Sequence, residues 1–358
     1  MESNTYLIVH TDYRFELTGP NGGAETATIA EAKFLRQAGK KVFVCGIFSG
    51  SDIMIDGISF INAGPSYNIE RAITKVSSFG PYHLLGVGKA FALYLAQRDE
   101  HCISRILISH DQGATESGFR PEILTSFIDC LVCVSRAQQK TIVDKGFPLE
   151  KSVVVYNGVD QEIFYPGATN QRDYSKLVFS GALVPDKGLH LLISSFVALR
   201  QVYPNLTLDV YGSASLWNRA EYMNISELAT SIPGLVFHGK VDQLTVANAF
   251  RSAGICVVPS IWFDSFPFAV IEAQVCGCPV VGFPVGGIPE GIESGVTGLV
   301  LDEISESSLR NGLHRLLADS QMLHRMSIAA AAIAPPRFRW HNTVGSLIAV
   351  AENVVISR

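Results

Sequence analysis

The chain has 358 residues, 47% of them hydrophobic and 17% charged, with a formal net charge of −5. At about 150 residues per core, that length implies two globular domains, and the acidic balance excludes the basic footprint that a nucleic-acid binder needs. No apolar run approaches the ~18 residues that span a bilayer, and the start, "MESNTYLIVHTDYRFE", lacks a basic stretch followed by an apolar one. The protein is therefore expected to be cytoplasmic, with at most weak peripheral membrane contact.

In chain order, short apolar runs alternate with longer helical stretches. "TYLIVH", "KVFVCGIF", "HLLGVG", "RILISHD", "CLVCVS" and "SVVVYNG" are the strand candidates of the first half. Between them lie helix-like segments such as "AETATIAEAKFLRQAGK" and "RAQQKTIVDKGF". Unbroken apolar strands separated by helices indicate a parallel sheet covered on both faces. Residues 156–175, with Asn-Gly, Pro-Gly and a polar tract, read as loop and linker.

A second series follows: "KLVFSGAL", "LTLDVYG", "LVFHGKV" and "ICVVPS", again with helical segments between. The expected fold class is α/β, two doubly wound domains over 1–167 and 168–341, followed by a helix over 342–358. The seven cysteines fit this picture as small hydrophobes in apolar runs. Cys130 and Cys133 form a CxxC, but no second pair completes a zinc site.

In doubly wound sheets, ligands bind beyond the carboxyl ends of the strands, and four loops there carry candidates. Gly22 and Gly23 precede a helix; either they let backbone approach an anion at its N-terminus, or they make a tight turn. Lys187 opens the helix after "FSG", where its charge opposes the macrodipole. It is either a diphosphate ligand or a solvated surface residue. His110, with Asp111, ends a strand; it is either a hydrogen-bonding group near neutral pH or a capping histidine.

The fourth loop belongs to "SIWFDSFPFAVIEAQVCGCPVVG", residues 260–282, an apolar stretch that holds two acids, Asp264 and Glu272. A helix from Phe266 to Cys276 would end at Gly277 and Pro279, with Asp264 as its cap. The eight residues between the acids give roughly 12 Å of rise at ~1.5 Å each, comparable to the gap between the two sugars of a nucleotide sugar. No Walker A motif and no GxSxG elbow are present, and "GVGKAF" has Phe91 where a dinucleotide fingerprint needs glycine. The Asp-x-Asp that presents a divalent metal is also missing.

Together these loops resemble the glycosyltransferase family 4 enzymes over nearly the whole chain. The resemblance rests on "NGGAET", on "CVSRAQQKTIVDKGFPLEKSVVVYNGVDQEIFYP" at 133–166, on "FSGALVPDKGLHLLI" at 179–193, and most specifically on "PSIWFDSFPFAVIEAQVCGCPVVG" and its continuation to residue 301. It implies a GT-B fold, two Rossmann-like domains facing across a cleft, with the C-terminal helix crossing back to the first. It also implies retaining, metal-independent transfer of a hexosyl group from a nucleotide diphosphate sugar, with no cofactor. UDP-glucose is the favoured donor and a saccharide or lipid-linked hydroxyl the acceptor, in polysaccharide or glycoconjugate biosynthesis.

By position in the family pattern, Glu272 would take the ribose hydroxyls, and Asp264 with the N–H groups of Ser265 and Phe266 the donor sugar. Lys187, beyond Gly181, would neutralise the diphosphate, Gly22–Gly23 would close over it, His110 would touch the transferred sugar, and Val241 would meet the base. Three positions depart from the pattern. Asp264 replaces the usual Glu and Pro267 a glycine, while Ala182 replaces an Arg that shares the diphosphate; Arg219 and Arg14 are the candidate substitutes. The missing Arg keeps open a weakened nucleotide-sugar-binding partner or scaffold, and a nucleotide-sugar epimerase is the remaining alternative.

Overall fold

The computed structural model describes residues 3–17, 21–64, 66–88, 90–110, 120–168, 171–213 and 231–356. The chain divides into two compact units, Met1–Gly158 with Trp340–Arg358, and Val159–Arg339.

The first unit is built on an eight-stranded sheet of order β3-β4-β2-β1-β5-β6-β7-β8. In chain order its strands are β1 (Thr5–Arg14), β2 (Lys41–Ile47), β3 (Ile53–Ile55), β4 (Ile58–Asn62), β5 (Tyr82–Val87), β6 (Cys102–Ser109), β7 (Cys130–Cys133) and β8 (Ser152–Val154). All pairs are parallel except β3–β4. That hairpin, absent from the sequence reading, turns at Asp56-Gly57, both at positive φ (51° and 77°) as a two-residue I′ turn requires. On one side of β1 the sheet continues through β2 and β4 to the edge strand β3; the chain then restarts at β5 on the other side and winds outwards to β8. The switch point therefore lies between β1 and β5.

Among the described residues five helices alternate with these strands: α1 (Gly23–Gln37), α2 (Ile69–Ser77), α3 (Phe91–Ala96), α4 (Pro121–Phe127) and α5 (Arg136–Asp144). Helices cover both faces, so the strand centres, Tyr6–Val9 of β1, Val42–Cys45 of β2, Leu84 and Leu85 of β5 and Ile106–Ile108 of β6, are apolar and buried. One exception among the helices is Glu31 on α1, buried with Oε2 unpartnered among the described residues. Burial raises its carboxyl to about 8, so it is uncharged at neutral pH.

In the second unit the helices are α6 (Leu189–Arg200), α7 (Gln243–Ser252), α8 (Phe268–Val275), α9 (Glu306–Leu317) and α10 (Ser320–Arg337). Its sheet is parallel throughout, in the order β11-β10-β9-β12-β13-β14. These strands are β9 (Asp173–Ser180), β10 (Thr207–Tyr211), β11 (Leu235–Gly239), β12 (Ala253–Val258), β13 (Val280–Gly282) and β14 (Gly298–Val300). Here the winding reverses between β9 and β12, the second switch point.

The last helix, α11 (Trp340–Ile356), belongs to the first unit. Phe34 of α1 stacks on Trp340 at 6.3 Å and meets His341 edge-on at 4.9 Å. Gly158 has no room for a Cβ, which would fall 2.5 Å from the Trp340 backbone. Residues 159–167, expected with the first domain, pack on the second unit instead. Phe164 is fully buried there, Arg251 donates to the Ile163 carbonyl (2.9 Å), and its guanidinium lies 4.2 Å over the Tyr165 ring. Among the described residues no helix is long and apolar enough to cross a membrane, and no group of three His, Cys, Asp or Glu could hold a metal ion.

Candidate active site

Lys187 follows β9 and Asp264 follows β12, so the two residues flank the second switch point. Lys187 ends a 3-10 turn begun by Pro185, and Gly188 at φ +67° starts α6. A Cβ on Gly188 would fall 1.8 Å from the Pro259 carbonyl oxygen, so glycine lets the Lys187 loop lie directly on the end of β12. Gly188→Ala is expected to destabilise the protein by at least about 2 kcal/mol, from left-handed strain plus this clash. Urea unfolding measures it, and an unchanged midpoint would show that the loop packs otherwise.

Two further bonds lock the loops together: the N–H groups of Ile261 and Trp262 both donate to the Asp186 carbonyl (2.8 and 3.3 Å). The result is an ion pair, Lys187 Nζ to Asp264 Oδ2 at 2.5 Å, with Ser260 Oγ donating to the same oxygen at 3.2 Å. The lysine side chain is 32% exposed and the aspartate 13%, so the pair faces solvent from its lysine side. Asp264 is pinned from below as well. Its carbonyl accepts from Gly287 N–H (2.8 Å), and Gly286, at φ +54°, has no space for a Cβ against it.

Asp264 is not a helix cap. Pro267 disfavours helical geometry at Phe266, so α8 begins at Phe268, two residues later than the spacing predicted, with Pro267 as its N-cap and no side-chain cap bond. Phe266 turns its ring into the core against Phe338. Ser265 is buried, and its N–H meets no acceptor among the described residues.

Glu272 lies on α8, half-buried, and no group among the described residues hydrogen-bonds its carboxylate. Its neighbours on the helix, Ile271, Ala273 and Val275, are fully buried, and burial raises its carboxyl to about 8. Being half-buried, its carboxylate keeps contact with solvent, unlike that of Glu31. Gly181 donates its N–H to the Tyr211 carbonyl (3.0 Å), and Val241 stands half-buried between β11 and α7, one residue before the Asp242 cap.

In the first unit Gly22 is the N-cap of α1 and Gly23 its first residue. A Cβ on Gly22 would lie 2.4 Å from Glu25 Oε2, so a carboxylate of the chain itself stands at this positive helix end. His110 directly follows β6, and its Nε2 is buried with no partner among the described residues. Burial, aided by the nearby His10, lowers it to about 3, so the ring is neutral. His10, at the end of β1, is itself held by Thr28 Oγ1 (2.8 Å) and the Phe15 ring. Of the two substitute cations, Arg14 bonds Ser49 on the first unit, while Arg219 lies outside the described residues, as does Asp111.

Sequence reasoning passed over Ser260, Gly188 and His10. Gly188 stood in the quoted "DKG", and only a close-packed neighbour gives that glycine a reason. Ser260 and His10 carried no signal beyond ending apolar runs.

Residues 161–332, most of the second unit, match the family model for Glycosyl transferases group 1. The putative glycosyltransferase YtcC of Bacillus subtilis is 25% identical over 84% of this chain and 79% of its own length. A D-inositol 3-phosphate glycosyltransferase of Segniliparus rotundus is 31% identical over 56% of the chain, which spans about half (46%) of that relative. Among solved structures, HepE of Anabaena in complex with UDP and glucose superposes with a TM-score of 0.76 at 19% identity, covering 98% of this chain and 99% of that one. Sucrose-phosphate synthase of Thermosynechococcus elongatus reaches 0.80 at 17% identity, over 99% and 100%. At such identities the structural likeness establishes the fold, two parallel-sheet domains of the GT-B kind. Residues 161–332 thus match the glycosyl transferases group 1, within a chain whose fold is of the GT-B kind.

Proposed function

We propose that the protein transfers a hexosyl group, with retention and without a metal, from a UDP-sugar to a hydroxyl of a saccharide or lipid-linked acceptor. UDP-glucose is the favoured donor. The observation that carries this reading is the Lys187–Asp264 pair at the switch point, with the unpartnered Glu272 on the helix that follows. Glu272 takes the ribose hydroxyls, while Asp264 and the Ser265 N–H take hydroxyls of the donor sugar. Lys187 and the first N–H groups of α6 take the diphosphate, since a helix N-terminus leaves donors free for an anion. Val241 meets the base.

In the transfer, the bond from the sugar's anomeric carbon to the diphosphate oxygen breaks and a bond to the acceptor oxygen forms on the same face. The acceptor proton passes to the departing phosphate oxygen. Charge develops on the diphosphate, and fixed donors already aimed at it lower the barrier. His110, neutral at physiological pH, serves as a hydrogen-bonding group for the transferred sugar rather than as a cation. HepE, a fold relative, is crystallised with UDP-glucose, which supports the donor class.

Ala182 favours a second reading, a nucleotide-sugar-binding protein of weakened turnover. Calorimetric titration with UDP, GDP and ADP, with and without EDTA, tests both. A nucleotide at 100 times its Kd adds roughly 2.7 kcal/mol of stability. UDP is expected to bind indifferently to EDTA, and to release sugar from UDP-glucose slowly when no acceptor is present. Binding without any turnover favours the second reading, and no binding of any nucleotide defeats both.

A further inference from the structure

Three strand ends of the second unit stand in one row: Gly181 after β9, Gly212 after β10, and Gly239 closing β11. Gly181 N–H donates to the Tyr211 carbonyl (3.0 Å) and Gly212 N–H to the Gly239 carbonyl (2.8 Å). Gly212 has φ +139°, and a Cβ there would fall 1.8 Å from the Gly181 oxygen. The backbones of β9 and β10 thus meet as closely as two chains can. Since adjacent strands are about 4.8 Å apart, the residues after these glycines, Ala182, Ser213 and Lys240, follow one another along the edge that also carries Lys187.

Charge at this edge is not balanced for a diphosphate, which carries more than one negative charge. The Lys187 ammonium is already matched by the Asp264 carboxylate. Four other cations of the unit are committed elsewhere. Lys176 and His238 both pair with Asp209 (3.0 and 3.1 Å). Arg172 is buried on the carbonyls of Phe250, Ala253 and Cys276. Arg251 holds Ile163 and Asn248. Lys240, by contrast, is exposed and makes no ion pair or hydrogen bond among the described residues.

We propose that Lys240 supplies the second positive charge to the donor's diphosphate, from the strand end two places along from the Ala182 position. The inference rests on the nucleotide-sugar reading above. A lysine suits this task because its ammonium is a point charge on a flexible stem, which reaches an anion without needing a fixed fork geometry.

The test is calorimetric titration of the intact protein with UDP and with uridine, over a range of salt, for wild type, Lys240→Ala and Lys240→Arg. Lys240→Ala is expected to weaken UDP at least about tenfold, as loss of one charge-assisted contact does. Uridine binding should be unchanged, the salt dependence of UDP binding should flatten, and Lys240→Arg should restore most of the affinity. UDP binding equal to wild type in Lys240→Ala overturns the proposal. An equal loss for UDP and uridine also overturns it, because Lys240 would then serve the base or the loop. If wild type binds neither UDP, GDP nor ADP, the nucleotide-sugar reading itself has failed.

Discussion

Lys187→Met is expected to lower kcat/KM for the donor by about 10²–10³-fold, the usual effect of removing one preorganised donor from developing charge. Its effect on folding should be smaller, about 1 kcal/mol, since the ion pair it breaks is open to solvent on the lysine side. The informative partner is Asp264→Asn, because the carboxylate has two opposed effects. On the proposed reading it competes with the diphosphate for the Lys187 ammonium and also holds the donor sugar. Asp264→Asn is therefore expected to tighten UDP about 3–10-fold, by releasing roughly 1 kcal/mol of competing attraction, while kcat with UDP-glucose falls. Titration with UDP alongside steady-state kinetics reads both. If Asp264→Asn weakens UDP as much as Lys187→Met does, the pair acts as a structural unit and the competition is not real.

Glu272 gives the second large effect, and a pH signature. Ribose hydroxyls donate to a carboxylate, so binding favours the ionised form and lowers a carboxyl that burial holds at about 8 in the empty protein. UDP should thus bind with release of a proton at pH 7. Its association constant should rise with pH through the neutral range and level off above about 8. Glu272→Gln should abolish that slope and weaken UDP by about 10–100-fold, the worth of hydrogen bonds to a charged group. Titration in two buffers of different ionisation enthalpy counts the proton directly.

Stability should run the other way. The folded carboxyl lies above its unfolded value, so the folded state binds the extra proton between about pH 4.5 and 8. The Glu272 contribution to ligand-free stability then falls as pH rises through that window and is flat beyond it, a slope read as the difference between wild type and Glu272→Gln. Glu272→Gln should raise the Tm of the empty protein at pH 8 while removing its response to UDP. A variant destabilised at pH 8 would mean that the acid packs as part of the core.

The alternation of strands and helices was legible because parallel strands covered on both faces must be continuously apolar, and here they are. The candidates of the second unit were legible for the same reason, since only a charged residue beside such a run stands out. What escaped lies between segments distant in sequence. Lys187 and Asp264 each drew notice, yet nothing in either stretch says that they pair across 77 positions. Neither reading of Gly22, as room for an anion or as a tight turn, shows that the Glu25 carboxylate comes back over it. The β3–β4 hairpin was missed although Asp56-Gly57 announces it, because its strands are three and five residues long and too short to show a period. The spacing puts the start of α8 too early because it leaves out the constraint that Pro267 places on Phe266.

The return of α11 to the first unit orders events during synthesis. Phe34 and the face of α1 around it emerge from the ribosome early, but the Trp340 ring that covers Phe34 is made only after the whole second unit. The second unit is one continuous stretch and can finish its core as soon as it is made. The first unit, begun earlier, must wait with an apolar face uncovered, so the half of the protein translated first is the half completed last.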